Sequence, residues 1–320
     1  MKKGIFRWLA AWTLAVFCSV SVWAKPSVLI PGGQTVGIKL YSQGLVITGF
    51  EQKSTAKAAG MKKGDVIVSA NGEEIRTVEE LREKLCDEQI TLSVLRNGKK
   101  VEVTVEPVVT VQGGTLGVYV RDSISGIGTV TYYDPETGDF GALGHGVSDI
   151  ETQCLLPVEA GVVVSSSVAE VKKGANGEPG ELKGKFDVHR ILGQVDTNTE
   201  KGIFGMLRKP VPGAPMAVAQ PDEIQTGNAV IRANVDGTSV QEYSVEILKI
   251  YPKADQTGRN LLLEITDRRL LSHTGGIVQG MSGSPIVQNG KLVGAVTHVL
   301  VNDPTRGYGI FIENMLDAAG

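Results

Sequence analysis

The chain reads as mainly β, with an α/β unit over residues 36–107 followed by a β-barrel-like unit over residues 108–320. Three observations predict this. Forty glycines beside only 5% aromatic residues favour many tight turns between short strands. Short apolar runs recur along the chain with turn residues between them, while helical periodicity is confined to residues 77–85 and 313–319. A length of 320 residues also suggests about two domains, at roughly 100–200 residues each. The 42% hydrophobic content is enough for a core, and a formal charge of −3 argues against nucleic acid as the main partner.

Residues 1–24 stand apart. Lys2, Lys3 and Arg7 precede an apolar stretch from Trp8 to Trp23 with no acidic residue, which is the layout of an export signal. Val22-Trp23-Ala24 puts small residues where a signal peptidase reads, predicting cleavage after Ala24. The stretch also approaches the minimum for a membrane anchor. The expectation is an exported protein, either released or membrane-associated through residues 5–23. All three tryptophans (Trp8, Trp12, Trp23) lie here, so a processed form lacks tryptophan fluorescence. Cys18 falls in the same segment. Cys86 and Cys154 remain, open to a disulfide or to two buried thiols, and neither has metal-ligand spacing. No metal or other cofactor is expected.

Residues 25–35, with Pro31-Gly32-Gly33, read as a linker. Residues 36–40 and 45–50 are short apolar strands split by a polar turn. A turn at residues 58–65 leads into the strand 66–69, and Asn71-Gly72 makes a hairpin turn. Thr77 and Glu80 form a capping box for a helix that places Val78, Leu81 and Leu85 on one face. Two further strands, 90–95 and 100–106, join through Asn97-Gly98. The run Ala58-Ala59-Gly60-Met61-Lys62-Lys63-Gly64-Asp65-Val66-Ile67-Val68-Ser69-Ala70-Asn71-Gly72 resembles the central signature of bacterial PDZ domains. That resemblance implies an extended peptide added to a sheet edge beside a helix. Val36, Gly37 and Ile38 would receive it, and Leu81 and Leu85 would line the groove; each of these side chains equally suits a plain core position.

Beyond residue 107 the apolar runs 126–133, 157–166, 229–233, 245–250, 261–266, 285–288 and 292–299 follow one another across turns. Residues 172–185 read as an exposed loop. Antiparallel sheets folded into a barrel or sandwich fit this order.

Acyl transfer by serine needs a hydroxyl, a base that takes its proton, and donors for the oxyanion. Gly280-Met281-Ser282-Gly283-Ser284-Pro285 offers Ser282 between glycines, with the amides of Gly280 and Ser282 able to converge on one point; Ser, Gly and Pro are also ordinary turn residues. Among four histidines, His145 lies between Gly144 and Gly146 after an apolar step and suits the base. His298 alternates within a strand and reads as a structural or pocket-wall residue, while His189 and His273 sit in polar surroundings. Asp267, Asp149 and Asp303 are each able to supply an orienting carboxylate, and spacing does not choose among them.

Residues 275–299, with Gly-Met-Ser-Gly-Ser-Pro at their centre, residues 301–310 and the block 141–149 are very similar to the stage IV sporulation protein B peptidases. So is the order of signal, PDZ and peptidase. This resemblance implies a trypsin-like serine peptidase with His145 as base, Ser282 as nucleophile and Asp267 as the acid. It implies export across the spore inner membrane into the intermembrane space. There such proteins cleave themselves and a membrane-associated regulator of an intramembrane protease, which activates a late sporulation sigma factor. Met281 stands where ordinary trypsin-like enzymes have Asp, so activation by pairing with a freed amino terminus is not expected. The alternative is a secreted PDZ adaptor without catalysis.

Overall fold

The computed structural model describes residues 25–110, 113–253 and 258–320; the export segment expected over residues 1–24 lies outside them. Strand β1 (Val28–Pro31) leads to the long strand β2 (Thr35–Phe50). The short helix α1 (Thr55–Ala58), β3 (Val66–Ala70), β4 (Glu73–Glu74), α2 (Val78–Lys84), β5 (Ile90–Arg96) and β6 (Lys99–Val105) complete the first unit. The sequence signals act as expected here. Asn71 and Asn97 take positive φ (51° and 50°) ahead of Gly72 and Gly98, as two-residue hairpins require. The Thr77–Glu80 capping box starts α2.

A small hairpin, β7 (Val108–Thr110) and β8 (Gly113–Thr115), precedes β9 (Val118–Tyr133). Then follow β10 (Asp139–Ala142), β11 (Val158–Lys172), β12 (Glu181–Thr199) and β13 (Gly202–Leu207). Strand β2 pairs with β9, β9 with β10, β10 with β13, β13 with β12, β12 with β11, and β11 returns to β2. This is a closed six-stranded antiparallel barrel. After β14 (Met216–Val218) come β15 (Gly227–Ala233), β16 (Gln241–Ile250), β17 (Leu261–Ile265), α3 (Arg268–Thr274), β18 (Pro285–Gln288), β19 (Lys291–Leu300), β20 (Asp303–Phe311) and the terminal helix α4 (Ile312–Ala319). The ladder β15–β16–β17–β20–β19–β18 closes back onto β15 as a second six-stranded barrel. Each barrel buries its own apolar core.

Four expectations are corrected. Residues 25–35 are not a plain linker: Val28–Pro31 is strand, with Leu29 and Ile30 buried, pairing with β14 and β9. Residues 36–40 and 45–50 are one strand, and its register with β9 shifts between Tyr41 and Val46. Residues 172–185 are loop only over 173–180, since Lys172 ends β11 and residues 181–185 begin β12, its ribbon partner. Cys86 and Cys154 are exposed free thiols, so neither the disulfide nor the buried pair holds.

Strand β2 belongs to both parts of the chain. Its residues Val36, Gly37 and Ile38 face Gly128, Ile127 and Gly126 of β9 on one side and Ser165, Val164 and Val163 of β11 on the other. A strand with both edges paired cannot accept a peptide, so the peptide-receiving role expected for these three residues is corrected. Leu81 and Leu85 are core residues, packed with Leu45, Ile67, Ile90 and Leu116.

The first unit holds one buried charge. Asp65, 1% exposed, accepts from Nε and Nη2 of Arg96 (2.8 and 2.6 Å) and from the Lys62 amide (2.8 Å). Asp65→Ala should lower stability by about 2 kcal/mol, because hydrogen bonds to a charged group are lost and Arg96 remains half-covered. A shift of the urea midpoint with an unchanged slope is the expected result.

Candidate active site

His145 and Ser282 arrive from different barrels. After β10 the chain passes through two left-handed residues, Leu143 (φ 71°) and Gly144 (φ 69°), and then presents His145. Such a φ is uncommon for leucine, and here the buried Leu143 side chain fixes it. A Cβ on Gly144 would stand 3.0 Å from Thr297 Cγ2 and from Ile310 Cγ2, so the turn lies directly against β19 and β20 of the second barrel.

Ser282 sits in a loop that begins in the second barrel and is fastened to the first. Met281 donates its amide to Val278 O (3.1 Å), and Ser284 donates to Met281 O (2.9 Å), winding the chain tightly around the serine. The Met281 side chain is fully buried in the second core, an apolar role that an aspartate could not fill without a partner. From β9, Thr129 Oγ1 donates to Gly280 O (2.8 Å), the Thr129 amide to Ser282 O (3.1 Å), and Thr131 Oγ1 to Gly283 O (2.9 Å). Gly283 (φ 96°) admits this approach: a Cβ there would stand 2.1 Å from Thr129 O and 2.6 Å from Leu143 N. The carbonyls of Gly280 and Ser282 are thus taken, while their amides have no acceptor among the described residues. Two free amides flanking the serine are what an oxyanion hole requires.

His145, Gly280, Ser282, Thr297 and His298 line one cavity of about 640 Å³ between the barrels. The His145 and His298 rings lie 5.1 Å apart at 40°. His145 Nδ1 is 2.9 Å from Gly146 O. A carbonyl only accepts, so Nδ1 carries the proton and Nε2 keeps its lone pair. Ser282 Oγ donates to Thr297 O (2.7 Å) rather than to the imidazole.

The structure does not bring Asp267 to His145. It caps α3, accepting from the Arg269 amide (2.8 Å), the Arg269 guanidinium and the Ser244 amide. Its bond to Arg269 lowers its pKa to about 2. The rivals are engaged elsewhere too: Asp149 is buried against Arg121 (2.6 Å), and Asp303 holds Thr305. The expected orienting carboxylate is therefore corrected to the Gly146 carbonyl in this arrangement. His298 takes the pocket-wall place expected of it. Sequence alone does not mark Thr129 and Thr131 as site residues; their signal is a pair of hydroxyls two apart in an apolar strand.

Burial lowers the pKa of both site histidines. His298 falls to about 4, from burial first and then from His145 and Arg259 beside it. The sign follows directly. An unfolded histidine takes a proton near pH 6.5 and the folded His298 does not, so stability present above pH 6.5 is lost as the pH falls toward 4. His298→Gln should flatten that slope in urea midpoints measured across this range.

The SpoIVB peptidase S55 family model matches residues 113–316, and a PDZ domain model matches residues 33–106. A 101-residue stretch is 36% identical to the zinc metalloprotease RasP of Geobacillus kaustophilus (strain HTA426), over 28% of this chain and 24% of that protein. The chain therefore spans about a quarter of the length of that curated relative. Among solved structures, the Rv3671c protease in its inactive form aligns with a TM-score of 0.36 at 12% identity, over 61% of this chain and 84% of the other. The active form from M. tuberculosis aligns at 0.34 and 15%, over 62% and 75%. With nearly two thirds of its length matched, the chain belongs to the SpoIVB peptidase S55 family, with a PDZ domain match ahead of that region.

Proposed function

We propose that Ser282 is the nucleophile and His145 the general base of an endopeptidase that cleaves protein substrates. The observation that carries this is the meeting of both side chains on one cavity, beside the free amides of Gly280 and Ser282. Rotation of the Ser282 side chain frees its hydroxyl from Thr297 O and turns it toward His145 Nε2. Oγ then bonds to the substrate carbonyl carbon as its proton passes to Nε2, and the two amides receive the oxyanion. The imidazolium returns that proton to the departing amine, and water releases the acyl group by the same steps reversed in role. Gly146 O stabilises the imidazolium through Nδ1.

The same reading extends to biology through the family. We propose that the protein is exported through residues 1–24 and cleaves itself and a membrane-associated regulator of an intramembrane protease during sporulation. Among the described residues no helix is long and apolar enough to cross a membrane; the apolar sequence of residues 5–23 is where we place a membrane association.

Two outcomes test the mechanism. Ser282→Ala should abolish fluorophosphonate labelling and cut peptide hydrolysis by about a thousandfold or more. In mass spectra of protein expressed with residues 1–24, fragments found for the parent should be absent for Ser282→Ala. Since burial lowers the His145 pKa and only neutral imidazole acts as base, the acid limb of the rate profile should have its midpoint below pH 6.5. A midpoint above 6.5 would point to another base.

A further inference from the structure

Strand β9 is paired on one edge along nearly its whole length, facing Thr35–Tyr41 and Val46–Phe50 of β2. On its other edge, pairing starts only at Val130, with β10, whereas β1 pairs with Tyr132 and Tyr133 on the β2 side. Among the described residues no strand pairs with residues 118–128 on that side. The backbone direction can be read from Thr129. Its amide donates to Ser282 O and its carbonyl accepts from Leu143 N, so both groups point away from β2. The register from Thr35↔Thr129 to Tyr41↔Ser123 is unbroken. By two-residue alternation the amides and carbonyls of Ile127, Ser125 and Ser123 point outward as well. Ser125 and Gly126 are exposed, and nothing lies within 4 Å of a Cβ built on Gly126.

The two ends of this edge differ in what they meet. At one end Ile124, Gly126 and Ile127 line the cavity of Ser282 and His145, and the next outward amide, that of Thr129, is already bonded to Ser282 O. At the other end Val118 and Val120 pack on the first unit's core, which contains Leu81 and Leu85 of the α2 region. An unpaired strand edge is a template for another strand.

We propose that residues 123–128 of β9 form a docking edge on which an extended segment of the substrate polypeptide adds as an extra strand, leading from the side of the PDZ unit to Ser282. The occupant follows from continuity. From Ser123 the edge runs without interruption into the cavity of Ser282, so what lies on it is the chain being cut. The inference rests on Ser282 as nucleophile, and its test separates the two.

The probe is β-casein, an unfolded polypeptide, added to the Ser282→Ala protein and followed by hydrogen exchange. Protection of the Ser123, Ser125 and Ile127 amides is expected. Protection elsewhere only, or none, overturns the docking edge. In parallel, Ser125→Pro in the otherwise unaltered protein removes one outward donor and no bond to β2, a placement that edge strands tolerate. Its KM for casein should rise about tenfold with a smaller change in kcat, the size of one or two lost backbone hydrogen bonds. An unchanged KM in a folded Ser125→Pro protein also overturns it. Fluorophosphonate labelling of the parent reports Ser282 alone: absence of labelling defeats the nucleophile assignment, whereas labelling without amide protection defeats only the edge.

Discussion

Three hydrogen bonds from Thr129 and Thr131 to Gly280, Ser282 and Gly283 hold the two barrels in catalytic relation. Both threonines are fully buried, so their hydroxyls must find acceptors, and the nucleophile loop supplies them. Those bonds occupy the carbonyls of Gly280 and Ser282, whose amides have no acceptor among the described residues. The arrangement needs Gly283, since any side chain would strike the Thr129 carbonyl and the histidine turn together. The serine loop, the oxyanion donors and the turn before His145 are therefore one packed object rather than three.

His145, the base we propose, has an unusual setting. Its Nδ1 partner is a neighbouring carbonyl, and a second, neutral histidine lies beside it. A carbonyl fixes the tautomer but contributes less to an imidazolium than a carboxylate would. The Ser282 hydroxyl meanwhile rests on Thr297 O. Both features describe a site that is assembled but not engaged, as suits an enzyme whose substrate completes the alignment.

The PDZ unit and the peptidase are not independent modules on a tether. Strands β2 and β9 each run through both, and their pairing crosses the boundary without a break in the ladder other than local register shifts. The end of β9 packed on the PDZ unit, at Val118 and Val120, and the Thr129 and Thr131 contacts to the Ser282 loop lie on one strand. Coupling between the units needs no element beyond that strand.

By itself the sequence determined the local elements. Asn-Gly turns, the Thr77–Glu80 box and the alternation of apolar residues name the hairpins, the helix and most strands, because these depend on neighbours within a few residues. It also determined the residue types at the reacting pair, since glycines around His145 and Ser282 mark turns that few other residues can adopt. Tertiary structure decided the rest. Whether residues 36–40 present a free edge depends on β9 and β11, far away in sequence, and pairing on both sides closed it. Which carboxylate stands near the base depends on packing. Asp267, at the end of an apolar strand, found Arg269 two residues on and a helix to cap before it could reach another barrel. Ser282 kept its place as the nucleophile's candidate, and only the closure of two barrels showed that β9 is the strand holding it there.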